Sequence, residues 1–378
     1  MPARQHRWRH LPATDSFHPI RGGLPCRRDY HHCQGILDNR WCQGYPDSMT
    51  VLTFYGIREP TPGPRWRQLF DATWNAYRAW YLSEGESARP DLATAGRMFK
   101  RYMPELTPTW ERLIEVAGGE ETAARLLTLY NPPRFLPGCS QLALTGDAPL
   151  LIRNYDYRPD LCERVVYSSA FSGRQVIGSS DCLWGLLDGM NDAGLVVSLA
   201  FGGRRGAAPG FGIPLVVRYL LEITETVADA TAALARLPVN MAYNLTMLDR
   251  DGDAATVFVA PGVQPEVFAQ HAATNHRGTI PEDPAYARSV RSVERQRALL
   301  TLLARRPDPA TAISAFLQPP LYNTAYASAF GTMYTAAYRP DLGVVDYAWP
   351  GSTWRRGFGS PDGTHAAVYC DESGPNRP

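Results

Sequence analysis

The chain has 378 residues, 44% of them hydrophobic, and a formal net charge of +1. That near-neutral balance gives no support for binding nucleic acid or anionic membrane, which would need a basic surface, and no apolar run reaches the roughly 20 residues of a membrane-spanning helix. Lys100 is the single lysine, which excludes lysine-built sites such as a Walker Gly-Lys-Ser/Thr loop or a Ser-x-x-Lys pair.

The first 48 residues are rich in Arg, His, Pro and Gly and show no helix or strand period. They read as a disordered or mis-assigned N-terminal extension. Cys26, His31, His32, Cys33 and Cys42 fall here, but their spacing matches no standard zinc pattern, so no metal is expected. The seven cysteines are odd in number and irregular in spacing. Without a secretory signal they suggest no disulfide framework, and a cytoplasmic location is the default expectation.

A strand is predicted at Thr50–Tyr55. From Pro64 to about Tyr130 the period is helical: Trp66, Leu69, Phe70, Trp74, Tyr77 and Trp80 recur every three or four residues. Further helices are expected over Ala93–Tyr102, over Thr107–Val116 with a cap and a proline at its start, and over Glu121–Leu129. After Pro132-Pro133 the pattern changes to strands: Ser140–Leu144, Leu150–Tyr155, Arg164–Tyr167, Leu183–Leu187 and Leu195–Ala200. Two helices, Pro214–Glu222 and Thr226–Leu237, lead to a hairpin of Asn244–Leu248 and Ala255–Val259 and a strand at Pro265–Gln270. Helices over Ser289–Ala304 and Pro309–Leu317 precede a last hairpin, Gly331–Arg339 and Val344–Trp349. This order implies the α+β class: antiparallel sheets with helices packed outside.

Cys139 opens an apolar strand directly after Gly138. A thiolate is a strong nucleophile that needs a base or a lowered pKa, yet no histidine is near in sequence. Cleavage between Gly138 and Cys139 would supply one, because the freed α-amine has a reference pKa of about 7.7–8.0. Glycine removes bulk at the attacked carbonyl. The bland alternative is a buried, inert cysteine. One hairpin later comes Arg153-Asn154-Tyr155-Asp156. On a strand Asn154 and Asp156 face one way, Arg153 and Tyr155 the other. Such a strand is either an exposed edge or one whose polar groups pair or act.

Gly138-Cys139, Arg153-Asn154-Tyr155-Asp156, Asp188-Gly189-Met190-Asn191-Asp192-Ala193-Gly194-Leu195 and Thr274-Asn275-His276, in this order, resemble the penicillin (isopenicillin-N) acyltransferase family. Choloylglycine hydrolases and penicillin V acylases are more distant relatives. The resemblance implies a four-layer αββα N-terminal-nucleophile hydrolase fold over about Thr50 to Gly357. Residues 49–138 would be a helical pro-segment kept as a small subunit, and 139–378 the catalytic large subunit, the two staying associated. It implies Cys139 as the autocatalytic and acyl-transfer nucleophile, and Asp156 as the acceptor that orients the new α-amine. Arg153 would favour the thiolate, and Asn275, with Asn191, would donate to the oxyanion. Ser292-Val293-Glu294-Arg295 resembles a family S-x-x-R element. It places Arg295, with Ser292 and His276, as candidate substrate-binding residues, Arg295 toward a substrate carboxylate or else a helix-surface ion pair. Arg277 stands where relatives often carry an aromatic.

The expected partner is a small linear amide or acyl donor. No metal or redox cofactor is needed, and acyl-coenzyme A is compatible as a substrate. Two other readings stay open. One is a papain-like hydrolase using Cys139 and His276 with Asn323, and the other is a non-catalytic scaffold with Cys139 in its core. Hydrolase or transferase depends on whether water or an amine reaches the acyl-enzyme.

Overall fold

The computed structural model describes residues 49–278, 280–326 and 330–370. The N-terminal extension and its cysteine–histidine group lie outside them. Strand β1 (Met49–Arg58) leads to four helices, α1 (Pro64–Tyr81), α2 (Leu92–Tyr102), α3 (Thr107–Ala117) and α4 (Glu121–Leu127). Buried Glu59 accepts from the backbone N–H groups of Arg65 and Trp66 and so satisfies the first turn of α1. Trp66 donates its indole N–H to the Leu183 carbonyl, 2.9 Å away, which ties α1 to the later strands. The stripe Trp66, Phe70 and Trp74 stacks along one face. Asp91 caps α2 through the Thr94 N–H. No side chain caps α3: Thr107 lies inside its first turn, and Gly118 ends it with φ +95°.

The strands β2 (Gly138–Leu144), β3 (Leu150–Tyr157), β4 (Val165–Ser169), β5 (Val176–Asp181), β6 (Gly185–Asn191) and β7 (Val196–Phe201) follow. Then come α5 (Ile213–Ile223), α6 (Val227–Leu234), β8 (Tyr243–Leu248), β9 (Ala254–Ala260), β10 (Val263–Phe268) and the short β11 (Ala272–Ala273). Helices α7 (Pro284–Ser289), α8 (Ser292–Ala304) and α9 (Pro309–Phe316) precede β12 (Gly331–Arg339), β13 (Val344–Trp349), β14 (Ser352–Gly357) and β15 (Gly363–Cys370).

These strands make two sheets. Nine strands run in the order β10-β9-β8-β7-β6-β5-β4-β1-β15, and six in the order β11-β2-β3-β12-β13-β14. The sheets face each other through β2 against β7 and β8, and β12 against β6. Helices α5 and α6 cover the nine-stranded sheet, while α8 and α9 cover the six-stranded one. This is the four-layer αββα arrangement that the resemblance implies. Strand β1 lies between β4, parallel, and β15, antiparallel, so the region before Cys139 contributes a strand to the larger sheet.

Four strands fall outside the sequence expectations: β5, the two-residue β11, β14 and β15. The edge-strand alternative for Arg153-Asn154-Tyr155-Asp156 is overturned, since β3 is central and those four residues are buried. No helix among the described residues is long and apolar enough to cross a membrane. Cys139, Cys162 and Cys182 are free thiols, whereas Cys370 is disulfide-bonded.

Where α1 meets the larger sheet, the Tyr77 hydroxyl lies between the carboxyls of Glu163 and Asp181, 2.9 Å from the latter. Burial and the neighbouring Glu163 push Asp181 up from 3.8 to about 7. Between those values the unfolded chain releases a proton that the folded chain keeps, so stability falls as pH rises. We expect thermal melts to show this decline between about pH 4 and 7, and Asp181→Asn to flatten it; equal slopes in both proteins would refute the assignment.

Candidate active site

Strands β2 and β3 are antiparallel, with Gly138 opposite Asp156, Cys139 opposite Tyr155 and Gln141 opposite Arg153. Strand alternation therefore puts Cys139, Tyr155 and Arg153 on the face toward the larger sheet. Gly138, Ser140, Asn154 and Asp156 lie on the face toward α8 and α9. The thiol and the Asp156 carboxyl approach the Gly138–Cys139 peptide from opposite sides of one sheet.

On the thiol side, Arg153 Nη2 donates to Cys139 Sγ at 3.1 Å. Its other donors are occupied: Nε by the Leu199 carbonyl at 3.1 Å, and Nη1 by Asp188 at 2.5 Å and Tyr334 at 3.0 Å. Its guanidinium lies over the Tyr155 ring. Fully buried Asp188 accepts four hydrogen bonds, two on each oxygen. Arg153 and Tyr334 donate to one oxygen, Ser179 and Tyr338 to the other. Burial pushes the Cys139 thiol up to about 11, and the Arg153 charge opposes the rise. Burial is the largest cause and sets the sign, and the Asp156 charge adds to the rise.

On the opposite face, Asn275 grips both sides of the Gly138–Cys139 bond. Its Oδ1 accepts from the Cys139 N–H at 3.0 Å, and its Nδ2 donates to the Pro137 carbonyl at 3.1 Å. Arg295, from α8, donates to the Cys139 carbonyl, to Ser140 Oγ at 2.8 Å and to Asn275 Oδ1 at 2.7 Å. Asp156 accepts from Thr332 Oγ1 at 2.7 Å, while its Oδ2 is buried with no hydrogen-bond partner, 3.6 Å from Arg295. Burial raises the Asp156 carboxyl, against the pull of Arg295.

The structure thus gathers Gly138, Cys139, Arg153, Asp156, Asn275 and Arg295. Asn191 is not placed to donate to an oxyanion. Its Nδ2 is spent on the Leu221 and Thr224 carbonyls, and its Oδ1 accepts from Leu195, so it builds a turn. Arg295 is neither a surface ion pair nor a carboxylate receptor, because it is buried and its donors go to the peptide around Cys139. Ser292 and His276 are buried too. Ser292 Oγ accepts from the Asn275 N–H and bonds His276 Nδ1, which fixes the turn that carries Asn275. His276 Nε2 has no partner and is not bonded to the thiol. Asn323 accepts from the Ala325 N–H. The papain-like arrangement is therefore not assembled, and Cys139 sits on a strand rather than a helix.

Sequence reasoning missed Asp188, Tyr334 and Thr332 as contributors. The available signal was an aspartate inside an otherwise apolar strand, which demands a buried cation.

No curated protein sequence matches the chain. Among solved structures, it is similar to a mutant of the conjugated bile acid hydrolase from Clostridium perfringens, with 12% identity, a TM-score of 0.44, 60% of this chain covered and 96% of that one. It is similar to penicillin V acylase from Agrobacterium tumefaciens, with 18% identity, a TM-score of 0.37 and coverage of 55% and 82%. It is also similar to the Caenorhabditis elegans ortholog of N-acylethanolamine-hydrolyzing acid amidase, with 18% identity, a TM-score of 0.42 and coverage of 57% and 98%. The family model described as acyl-coenzyme A:6-aminopenicillanic acid acyl-transferase matches residues 143–354. That span begins after Cys139 and contains Arg153, Asp156, Asn275 and Arg295. Since it exceeds half of the 378 residues, the chain belongs to the acyl-coenzyme A:6-aminopenicillanic acid acyl-transferase family.

Proposed function

We propose that the chain cuts itself between Gly138 and Cys139, and that the cut form is an acyltransferase or amide hydrolase working through a thioester on Cys139. The observation that carries this reading is the grip of Asn275 on both sides of that peptide, with Arg153 aimed at the thiol.

The sulfur attacks the Gly138 carbonyl carbon. An S–C bond forms, the C–N bond breaks, and the thiol proton ends on the departing nitrogen. Water then cleaves the thioester, leaving a Gly138 carboxylate, a free thiol and an N-terminal Cys139. The empty acceptor on Asp156 suits the new α-amine, which it would hold as the base for the next acyl transfer. Departure of the covering segment relieves the burial that raises the thiol, and Arg153 then favours the thiolate. Asn275 Nδ2, released from Pro137, becomes an oxyanion donor.

In turnover the thiolate attacks an amide or thioester and expels the amine or thiol. Water completes a hydrolysis; an amine completes a transfer. The family description names an acyl-coenzyme A donor, so acyl thioesters and linear amides are both substrates to assay. The steps need no metal or redox cofactor. The fragments 49–138 and 139–378 remain associated through β1 and α1.

The test is the intact mass, after disulfide reduction, of the purified wild type beside Cys139→Ala. We expect two fragments meeting at Gly138/Cys139 in the wild type and one chain in the variant. An uncut wild type would remove the α-amine from the mechanism.

A further inference from the structure

The residues just before the cleavage point lie across the catalytic part as a bound ligand would. Between α4 and β2 the chain has no regular structure. The Phe135 carbonyl accepts from Tyr243 Oη at 2.9 Å, and the Pro137 carbonyl from Asn275. The Phe135 ring meets Tyr157 edge-on, with centroids 5.6 Å apart. Alternate carbonyls held by side chains, with a ring against an aromatic wall, are how an extended ligand is held.

Self-cleavage and turnover share one intermediate type, an acyl group on Cys139 Sγ. In the first reaction that acyl group is the Gly138 carbonyl with Pro137, Leu136 and Phe135 behind it. Gly138 Cα is its α-carbon. A Cβ built there would collide with Phe330 Cζ and lie 2.8 Å from Phe330 Cε1 and 3.1 Å from Asp156 Cβ. After cleavage, the Gly138 carboxylate faces Asp156, and like charges in a buried site repel, which favours departure of the segment.

We propose that the vacated seat of Phe135–Gly138 is the acyl subsite of the cut enzyme. Phe330 restricts it to acyl groups with a methylene next to the reacting carbonyl, and the apolar or aromatic tail runs along Tyr157 and Tyr243. The proposal rests on Cys139 being the acyl-transfer nucleophile.

The experiment uses cut wild type, Phe330→Ala and Phe330→Leu, each confirmed as cut by mass. Phenylacetyl and 2-phenylpropanoyl p-nitroanilides differ only by an α-methyl group. We expect the wild type to favour the unbranched donor by about 10–200-fold in kcat/KM and Phe330→Ala to bring the two within about threefold. A second readout needs no turnover. N-acetyl-Phe-Leu-Pro-Gly should slow iodoacetamide labelling of Cys139, and N-acetyl-Phe-Leu-Pro-Ala should not. Equal handling of the two amides, discrimination unmoved in both variants, no protection by the glycine peptide, or a Cys139 still blocked after cleavage would each overturn the subsite. An uncut chain would instead sink the cleavage reading beneath it.

Discussion

Asp188→Ala should lower folding stability by roughly 3–5 kcal/mol, because it strands a fully buried guanidinium. Arg153 sits between the sheets with no solvent to replace its partner. The same substitution removes the acceptor of the Tyr334, Tyr338 and Ser179 hydroxyls, of which Tyr338 and Ser179 keep a contact to Tyr347 Oη. The measurement is urea unfolding in a Cys139→Ala background, so that chain cleavage does not enter the equilibrium. Adding Arg153→Met to Asp188→Leu removes both charges and should recover much of the loss, since an apolar pair of similar volume carries no stranded ion. A double variant as unstable as Asp188→Ala would show that the hydroxyl contacts, not the charge pair, set the cost.

The second large effect is on rate. Asn275→Ala should slow self-cleavage by about 10²-fold, the scale on which lost alignment of a reacting bond costs rate, because the Cys139 N–H and the Pro137 carbonyl lose the side chain that holds them. The expected stability loss is only about 1–3 kcal/mol, the cost of unsatisfied buried partners. Asn275→Asp separates the two jobs. It keeps an acceptor for the Cys139 N–H and for Arg295 but loses the donor to Pro137. A time course of fragment appearance after refolding reads both variants. Asn275→Asp cutting at the wild-type rate would mean that the donor is irrelevant and that Asn275 acts only through the Cys139 N–H.

The sequence makes the sheet-forming half legible wherever a strand shows a turn on each side. Strand β5, Val-Ile-Gly-Ser-Ser-Asp, does not: it is buried along its whole length, so it shows no alternation, and its glycine and serines resemble a loop. Strands β14 and β15 escape because they follow what looks like a closing hairpin. The pairing of β15 with β1 joins the two ends of the described chain, which no local pattern reports. In the site, Cys139, Arg153, Asp156 and Asn275 stand out through their motifs, and the register of β2 and β3 places three of them. Arg295 was legible as a residue but not as a role, because its donors reach across 156 residues to the Cys139 carbonyl. Asn191 misled for the opposite reason. An asparagine in a tight turn meets its own neighbours first.

The position of β1 has a consequence for the molecularity of folding. It is hydrogen-bonded on both edges to strands that follow Cys139, β4 and β15. On the proposed cleavage, and with the Cys370 disulfide reduced, a first-order folding reaction becomes a bimolecular assembly. The fragment 49–138 then carries the missing strand of a nine-stranded sheet, and neither piece completes that sheet alone. Melting of the cut protein under reducing conditions is a dissociation, so its midpoint rises with protein concentration, while that of the uncut chain does not. Once the two pieces separate on heating or dilution, recovery depends on their finding each other again.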